Sequence, residues 1–295
     1  MNDTKILKGK PVADNNMIYC HNLINEFNLS PHLYVILVGD DPASEYYVNS
    51  IIKQAKKYNV NITLHKSEEI TERELLDKIQ TLNNDSSVHG IMVQKPLPKH
   101  INPAVIEQMI IPDKDVDGFH ALNAGLLLQE KECFLPCTAQ AILEILDYYN
   151  ISPESKHVVV VGRSNVVGKP VANLLLYKEK NRNATVSVCH SRTPDLSVFT
   201  LQADILITAV GIANLIDKNM IKENVIILDA GINELISAEG KISYCGDVNY
   251  DSCFEKSMYI TPVPGVVGSV TTSILFKHLC DSAKKIKILK KVLTK

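Results

Sequence analysis

Several features that would point to a particular class of protein are absent from this sequence or weak in it. The chain of 295 residues has a formal net charge of only −2, so no overall charge attracts it to nucleic acid or to an acidic membrane surface. No apolar run is long enough to cross a bilayer, and residues 1–12 lack the apolar core of a signal peptide. We therefore expect a soluble, cytoplasmic protein that binds neither nucleic acid nor membrane.

The cysteines lack the arrangement of a disulfide framework or a metal site. There are seven of them, an odd number, and they are scattered without the paired spacing that zinc requires. Reduced thiols fit an intracellular protein better. The sequence therefore predicts no metal cofactor, and it contains no internal repeat or low-complexity segment.

Apolar strand-like segments alternate with longer amphipathic segments, which is typical of α/β folding with parallel strands. Residues 34–38 and 90–93 are predicted strands, and 75–82 is part of a helix between them. A second series of predicted strands covers 157–161, 184–189, 205–210 and 225–229. A helix at 139–149 would link the two sheets, and an amphipathic helix at 274–293 would follow the second. Both pattern and length predict two α/β domains.

One strand-to-helix turn has the composition of a phosphate-binding loop. The strand at 157–161 runs into Gly162, Arg163 and Ser164, then through Gly168 into an apolar helix at 171–176. Glycine permits close backbone approach, and the amino terminus of a helix offers free N–H groups to a phosphate. The full three-glycine fingerprint is missing, so a tight turn without a ligand remains an alternative.

The end of the next strand favours NADP over NAD. An NAD site usually has an acidic residue there for the ribose hydroxyl, whereas this chain has Cys189-His190-Ser191-Arg192. Arginine and serine side chains can bind a ribose phosphate through charge-assisted hydrogen bonds, although both arginines could instead be solvated surface charges. Later strand ends could receive a nicotinamide ring. The predicted cofactor-binding residues are Gly162, Arg163, Ser164, Ser191, Arg192, Gly211 and Ile232.

Short segments throughout the chain together resemble one family, the bifunctional methylenetetrahydrofolate dehydrogenase/cyclohydrolases. They occur in order and cover nearly the whole sequence. The segments are 38–44 (Val-Gly-Asp-Asp-Pro-Ala-Ser), 47–50 (Tyr-Val-Asn-Ser), 93–94, 114–120 (Lys-Asp-Val-Asp-Gly-Phe-His), 136–138, 161–164, 189–191, 246–248 and 261–265 (Thr-Pro-Val-Pro-Gly).

The resemblance implies an architecture and an activity. It implies a folate-binding catalytic domain at 1–138 plus 271–295, with the carboxyl-terminal helix packing back on it, and a Rossmann-like, doubly wound NADP-binding domain at 139–270. Tetrahydrofolate derivatives would bind in a cleft between these domains. The expected reactions are NADP-dependent oxidation of 5,10-methylenetetrahydrofolate and hydrolysis of the methenyl product to 10-formyltetrahydrofolate. It also implies a homodimer joined through the nucleotide domains.

A helix after the first strand would hold the residues expected at the folate. Asp41 can cap this helix with Pro42 in its first turn, which puts Tyr47 and Ile51 on one face. The resemblance implies that Tyr47 stacks on the pterin, that Gln94 hydrogen-bonds the active-site lysine and that Asp117 hydrogen-bonds the pterin. Without it, Tyr47 would be interpreted as a core residue and Asp115 and Asp117 as an ordinary acidic loop.

The sequence departs from the family mainly on the folate side, and Ile51 stands where the resemblance implies the catalytic lysine. Loss of a general acid/base costs ~10²- to 10⁴-fold in rate. Lys95, in place of a family leucine, could supply the amine or could be a rim lysine facing water; Lys53 turns to another helix face. Further departures are Leu126, Ala139, Val266 and Ser269.

The predicted site combines these residues, and three functions remain open. Tyr47, Gln94 and Asp117 are the predicted catalytic residues, with Lys95 as the possible substitute for the missing lysine. The predicted substrate-binding residues are Tyr47, Ile51, Gln94, Lys95, Asp117, Pro264 and Gly265. Besides the bifunctional enzyme with doubtful hydrolysis, the alternatives are a catalytically impaired paralogue that binds folate or NADP, and an NADP dehydrogenase for another small substrate.

Overall fold

The computed structural model describes residues 5–58, 60–236, 240 and 242–293. The chain divides into two compact units, each with its own parallel sheet. We call residues 14–135 with 272–293 the three-stranded unit, and residues 5–13 with 136–271 the five-stranded unit. The expected boundaries were 138/139 and 270/271. The observed ones lie at 135/136 and 271/272, and residues 5–13 group with the five-stranded unit because Leu7 N donates to Ile260 O at its sheet edge (3.1 Å).

The three-stranded unit alternates helices and parallel strands. Helix α1 (Gly9–Phe27), whose first residues belong to the other unit, precedes β1 (His32–Val38), α2 (Pro42–Lys57), β2 (Asn61–Ser67), α3 (Glu72–Asn84), β3 (Gly90–Val93), α4 (Pro103–Met109) and α5 (Ala121–Leu128). The strand order is β2-β1-β3. The predicted strands at 34–38 and 90–93 are confirmed, whereas β2 was not predicted, because its exposed edge position leaves most of its side chains polar and solvated.

Local capping explains where two of these helices begin. The Asp41 carboxylate accepts hydrogen bonds from Ser44 N (2.9 Å) and Ser44 Oγ (2.7 Å), and Pro42 occupies the first turn of α2, as predicted. These hydrogen bonds lower the pKa of Asp41. Helix α3 begins with a capping box between Thr71 and Glu74.

The five-stranded unit is a doubly wound sheet. Its elements are α6 (Cys137–Tyr148), β4 (His157–Val161), α7 (Gly168–Leu175), β5 (Thr185–Cys189), α8 (Ser197–Thr200), β6 (Ile205–Thr208), β7 (Val225–Asp229), β8 (Asn233–Ile236), β9 (Ile242–Cys245), α9 (Tyr250–Phe254) and β10 (Ser257–Ile260). The strand order is β10-β7-β6-β4-β5, all parallel. The four strands predicted in this half are confirmed, and the β8–β9 antiparallel hairpin was not predicted.

The last helix, α10 (Val267–Leu293), starts earlier than the predicted residue 274. Its residues from Thr272 onward belong to the three-stranded unit. There Ser282 Oγ donates to the carbonyls of His89 (2.5 Å) and Asp113 (2.7 Å), and His278 Nδ1 lies 2.9 Å from Val116 O. These contacts confirm that the carboxyl-terminal helix packs on the predicted folate domain.

Candidate active site

Helix α2 holds Tyr47 and Ile51 just beyond the carboxyl end of β1. Tyr47 is half-buried, and Ile51, one turn further along, is fully buried with none of its surface exposed. The two residues share a helix face, as their spacing predicted. Isoleucine has no hydrogen-bonding or titratable group. The position where the resemblance implies a catalytic lysine is therefore chemically inert in this chain.

Gln94 and Lys95 follow β3 and are tied to the start of α2. Gln94 N extends the sheet by donating to Ile36 O (2.9 Å). The Gln94 side-chain amide donates to Lys95 O (2.7 Å), and Ser44 Oγ donates to the same carbonyl (3.2 Å). Ser44 thus connects the Asp41 cap to the backbone at Lys95, which fixes this segment relative to α2.

The amine of Lys95 is directed to two neighbours in the same unit. Its Nζ forms an ion pair with Glu107 on α4 and lies 4.0 Å from the centre of the Phe119 ring. The side chains of Lys95 and Glu107 are 32% and 27% exposed, so solvent reaches the pair only in part. Lys95 is therefore not a rim lysine that extends freely into water.

The charged residues of the loop at 114–120 have two kinds of position: some stabilise the fold, and others line a pocket. Lys114 is buried and its Nζ donates to Leu82 O, Asn83 O and Asp85 O at 2.7–2.8 Å, around the carboxyl end of α3. Cations are favoured at such an end, although burial lowers the pKa of Lys114. Lys114 therefore stabilises the fold.

Asp115 also stabilises the fold, which a residue of an ordinary solvated acidic loop would not do. It is 3% exposed and accepts hydrogen bonds from Phe119 N (3.1 Å), His120 N (2.7 Å) and Asn123 Nδ2 (2.8 Å). Burial raises the pKa of Asp115, while these donors act against the shift. The network shapes the turn that presents Asp117.

Asp117 lines a small, open pocket in the three-stranded unit. Its wall combines charged and aromatic side chains with an apolar floor. The lining residues are Ile91, Val93, Lys95, Leu97, Pro103, Ile106, Glu107, Ile110, Asp115, Asp117 and Phe119. The structure thus brings the predicted residues Lys95 and Asp117 to one pocket. Glu107 was missed by the sequence analysis, because nothing in the sequence shows that α4 faces Lys95.

In the five-stranded unit, three neighbouring strands end at one edge. Gly162 N donates to Cys189 O (2.9 Å), and Ala209 N donates to Val161 O (2.9 Å), so the ends of β5, β4 and β6 lie side by side. The chain order reverses between β4 and β6, since β5 lies on one side of β4 and β6 on the other. Ligands of open α/β sheets bind at the carboxyl edge of such a reversal.

The two glycines of the turn after β4 allow close backbone approach. A Cβ on Gly162 would lie 2.4 Å from Ala209 O, and Gly162 has φ +131°. A Cβ on Gly168 would lie 2.1 Å from Gly162 O. Only glycine fits either position without a shift of the backbone. These two residues supply the tight turn and the close packing of strand against helix that a dinucleotide-binding turn requires.

The polar side chains predicted for the cofactor are exposed around this turn. Arg163, Ser164, Ser191 and Arg192 are all exposed, and Ser164 Oγ accepts from Val167 N (3.1 Å) ahead of α7. After β5, Arg192 N donates to His190 Nδ1 (3.1 Å), which makes the turn compact. The two turns follow adjacent strands, so two guanidinium groups and two hydroxyl groups are available at one edge. This set fits the phosphates of NADP.

Two buried aspartates organise the neighbouring loops, and the sequence analysis assigned them no role. Asp247 accepts from Val210 N (2.6 Å), Gly211 N (3.3 Å) and Ile212 N (2.9 Å). It therefore fixes the loop that carries the predicted residue Gly211. Asp229 ends a predicted strand and Asp247 lies in the segment 246–248 that resembles the family, but nothing in the sequence indicated that their carboxylates are buried.

Asp229 holds the adjoining strand ends together. It accepts from Thr208 Oγ1 (2.9 Å), Gly231 N (2.9 Å) and Val248 N (2.8 Å). Burial raises the pKa of Asp229 to about 6, and these donors oppose the shift. A Cβ on Gly246 would lie 1.9 Å from Asp229 Oδ2, so the carboxylate occupies the space above that glycine.

The remaining predicted residues are exposed in the five-stranded unit. Gly211 has φ +69°, and Ile232, which precedes β8, is 64% exposed. Pro264 and Gly265 form an exposed turn before α10, in a different unit from Tyr47 and Gln94. Among the described residues no helix has the length and apolar character of a membrane span, and within that same part of the chain no group of three or more His, Cys, Asp or Glu residues could hold a metal ion.

The five-stranded unit is a dinucleotide-binding domain of the Rossmann-like class, joined to a second α/β unit with its own pocket. Two family models match these regions: the catalytic domain of tetrahydrofolate dehydrogenase/cyclohydrolase at residues 7–117 and the NAD(P)-binding domain of the same enzymes at residues 136–287. The chain belongs to the tetrahydrofolate dehydrogenase/cyclohydrolase family.

Individual relatives agree over nearly the full length. The chain is 48% identical to the bifunctional protein FolD of Bacillus subtilis over 284 residues, covering 95% of this chain and 98% of that one. The crystal structure of the bifunctional enzyme FolD from Campylobacter jejuni is 44% identical, with a TM-score of 0.88 and coverage of 95% and 98%. The Trypanosoma brucei enzyme, complexed with NADP cofactor and inhibitor, is 32% identical, with a TM-score of 0.89 and coverage of 97% and 99%.

Proposed function

We propose that this chain catalyses the NADP-dependent oxidation of 5,10-methylenetetrahydrofolate to 5,10-methenyltetrahydrofolate and hydrolyses that product only slowly to 10-formyltetrahydrofolate. Family membership and the turn around Gly162 support the first reaction. A single observation carries the second part of the proposal: the buried side chain at position 51 is isoleucine. The oxidation needs a coenzyme that accepts a hydride, whereas the hydrolysis needs a group that moves a proton.

The five-stranded unit supplies the coenzyme side of the proposed reaction. Gly162 and Gly168 leave room for close backbone approach, and Arg163, Ser164, Ser191 and Arg192 would bind the phosphates. Gly211 and Ile232 would lie against the nicotinamide. NADP, when bound, accepts the hydride, so the residues of this chain have only to bind and orient the two reactants.

The three-stranded unit supplies the folate side. Tyr47 is half-buried and is proposed to stack on the pterin ring, while Asp117 accepts hydrogen bonds from it. Gln94 is fixed to the backbone beside Lys95 and would bind the ring edge. Pro264 and Gly265 are proposed substrate contacts from the exposed turn before α10. None of these roles needs an amine at position 51, so oxidation can proceed without it.

Hydrolysis is different, because Ile51 cannot polarise the substrate or transfer a proton to or from water. The missing group predicts a rate lower by ~10²- to 10⁴-fold than that of an enzyme with a lysine at this position. Lys95 is the proposed substitute, and it lines the same pocket as Asp117. If Lys95 contributes, Lys95→Leu will abolish whatever hydrolysis remains; unchanged hydrolysis would discard that role.

Two spectrophotometric assays test the proposal. One follows oxidation of methylenetetrahydrofolate with NADP, and the other follows hydrolysis of methenyltetrahydrofolate without nucleotide. We expect turnover in the first and slow turnover in the second. Ile51→Lys should increase hydrolysis at least about 100-fold, and Ile51→Met, which has a similar volume and no amine, should not. Retained oxidation in both variants shows that they fold.

Other outcomes would favour the two alternatives. No oxidation by the parent protein, with activity gained in Ile51→Lys, would indicate a catalytically impaired paralogue that binds folate or NADP. Oxidation of other small substrates with NADP, but not of methylenetetrahydrofolate, would indicate a different dehydrogenase. Rapid hydrolysis by the parent protein would contradict the role assigned to position 51.

We further propose a homodimer joined through the five-stranded units. The β8–β9 hairpin supports this, because Ile236 and Ile242 are cross-strand partners and are 67% and 54% exposed. Light scattering should give twice the chain mass, and Ile236→Lys should give a monomer; a parent protein of single-chain mass would contradict the proposal. The cytoplasmic location stays a prediction that cell fractionation would test.

A further inference from the structure

We propose that Glu107 is a positioning residue for the folate site: it holds the Lys95 ammonium over Phe119, where that ammonium donates a hydrogen bond to the polar edge of the bound pterin. The inference deepens the proposed function and rests on it in one respect, that the ligand of this pocket is a reduced folate. It assigns a role to Glu107, which lies outside the residues predicted from the sequence, and a specific role to Lys95.

The geometry of Lys95 carries the inference. A lysine side chain on the surface would sample many rotamers, but here the Nζ is held by the Glu107 carboxylate and lies 4.0 Å from the Phe119 ring centre. The backbone below it is fixed as well, because Gln94 Nε2 and Ser44 Oγ both donate to Lys95 O. The amine therefore has one defined place on the wall of the pocket.

The charges around the pocket explain why a carboxylate is needed opposite Lys95. Asp117 lines the same pocket, and Asp115 lies behind it with its oxygens bonded to Phe119 N, His120 N and Asn123 Nδ2. Without Glu107, the ammonium could turn towards these other carboxylates, since opposite charges attract strongly in a partly desolvated pocket. Glu107 competes for the amine and keeps it at the Phe119 side of the wall.

The ion pair with Glu107 determines which hydrogen bonds the Lys95 amine can make. An ammonium has three N–H donors and no lone pair, so after the bond to Glu107 it retains donors for a ligand but cannot accept a proton from water. Lys95 would therefore offer the ligand a hydrogen bond from the wall that carries Asp117 without restoring general-base catalysis. The inference thus accounts for an oxidising enzyme that hydrolyses slowly.

The test is titration calorimetry of the full chain with tetrahydrofolate at saturating NADP, together with KM and kcat for the oxidation. We expect Glu107→Gln to weaken tetrahydrofolate binding and to raise KM about tenfold, with kcat changed less than about threefold, and Glu107→Asp to restore part of the loss. A simple charge effect has the opposite sign. Folates carry an anionic glutamate end, so removing a negative charge would by itself strengthen binding.

A double-substitution cycle separates positioning from a general structural role. In the Lys95→Met background, Glu107 is an unpaired carboxylate beside Asp117, so adding Glu107→Gln should strengthen binding instead of weakening it. The matched control is Asp113→Asn, which removes the exposed ion pair with Lys285 and the same charge; it should leave tetrahydrofolate affinity unchanged. Thermal unfolding of each variant checks the fold.

The results also distinguish this inference from the proposed function. Unchanged or tighter binding in Glu107→Gln, or the same loss in both backgrounds, would overturn the inference. Absence of tetrahydrofolate binding by the parent protein would overturn it too. Binding that depends on the Lys95–Glu107 pair, without any oxidation, would overturn the proposed function and leave the inference standing.

Discussion

The proposed sites of the two units differ in the chemical groups that form them. In the five-stranded unit, two kinds of group shape the edge around Gly162 and Gly211. They are glycines, which lack side chains, and buried carboxylates that accept hydrogen bonds from backbone N–H groups. In the three-stranded unit, the proposed site depends on individual side chains, among them Tyr47, Lys95 and Asp117. A single substitution such as Ile51 can therefore remove chemistry from the three-stranded unit while the backbone and its cap at Asp41 remain intact.

This difference explains why the two sites respond unequally to sequence change. The turn around Gly162 loses its shape only when the backbone shifts, and then the fold itself is affected, whereas an exposed side chain beside it such as Arg192 can be replaced without a change of fold. A site made of side-chain groups can lose one function and keep another. Each prediction below places a substitution in one unit and asks whether the effect stays there.

The largest expected effect comes from Gly162→Ala in the five-stranded unit. The new Cβ would lie 2.4 Å from Ala209 O at a residue with φ +131°, so the turn has to shift. We expect the free energy of unfolding to fall by about 2–4 kcal/mol and NADP affinity to fall at least about 100-fold. Urea unfolding and NADP titration measure the two effects.

Gly125→Ala in α5 of the three-stranded unit is the matched control. No atom lies within 4 Å of its Cβ position, so the change should leave NADP binding unaltered and stabilise the helix by up to about 1 kcal/mol. Equal losses of NADP affinity in both variants would show that the two sites are not built as differently as we describe.

The second prediction concerns pH, to which one buried group in each unit should respond in opposite directions. Burial raises the pKa of Asp229 to about 6 from the ordinary value of 3.8, so between about pH 4 and 6 the folded five-stranded unit binds a proton that the unfolded chain has lost. Its stability should fall by about 2–3 kcal/mol as the pH rises through this range. Asp229→Asn should flatten that slope in urea unfolding measured from pH 4 to 7.

His89 in the three-stranded unit should act with the reverse sign. Burial lowers its pKa from 6.5 to about 4, and its Nδ1 accepts from His32 N (3.2 Å), which requires the neutral ring. Its contribution is complete above about pH 6.5 and is lost as the pH falls towards 4. Urea unfolding of His89→Gln from pH 4 to 7 should show a flatter dependence than the parent protein; an unchanged dependence would contradict this assignment.

The smallest effect is expected at Arg192, which is exposed after β5. Arg192→Gln should lower kcat/KM with NADP about 10- to 50-fold and leave the value with NAD nearly unchanged, because a charge-assisted hydrogen bond to the ribose phosphate is lost. Lys180→Gln removes the same charge beyond the other end of α7 and should change neither. Equal losses with both coenzymes would remove Arg192 from phosphate recognition.

Much of this organisation could be predicted from the sequence, and the failures have identifiable physical causes. The central strands were predicted because burial on both faces makes them continuous apolar runs, as in Val158–Val161. Strand β2 and the β8–β9 hairpin were missed because exposed strands carry polar or mixed residues. Bonds between segments distant in sequence, such as those of Asp247 to residues 210–212, have no local signature.

Prediction of the candidate site was limited in the same way, because contacts between distant segments have no local signature. Tyr47, Gln94 and Asp117 were predicted because they lie in motifs that resemble a known family, and Lys95 because it departs from one. Glu107 was not, since its pairing with Lys95 depends on how α4 packs beside β3. Lys114 was part of a quoted motif, yet only the structure shows that its amine closes the end of α3.

The division of α10 between the units has a consequence for synthesis on the ribosome. Residues 14–135 emerge early, but Ser282 and His278, which bond to His89, Asp113 and Val116, are translated only after the whole five-stranded unit. The three-stranded unit therefore stays incomplete, with apolar surface uncovered, until its last helix is made. The five-stranded unit can complete its sheet before that. A nascent chain should accordingly need protection from aggregation mainly in its early half.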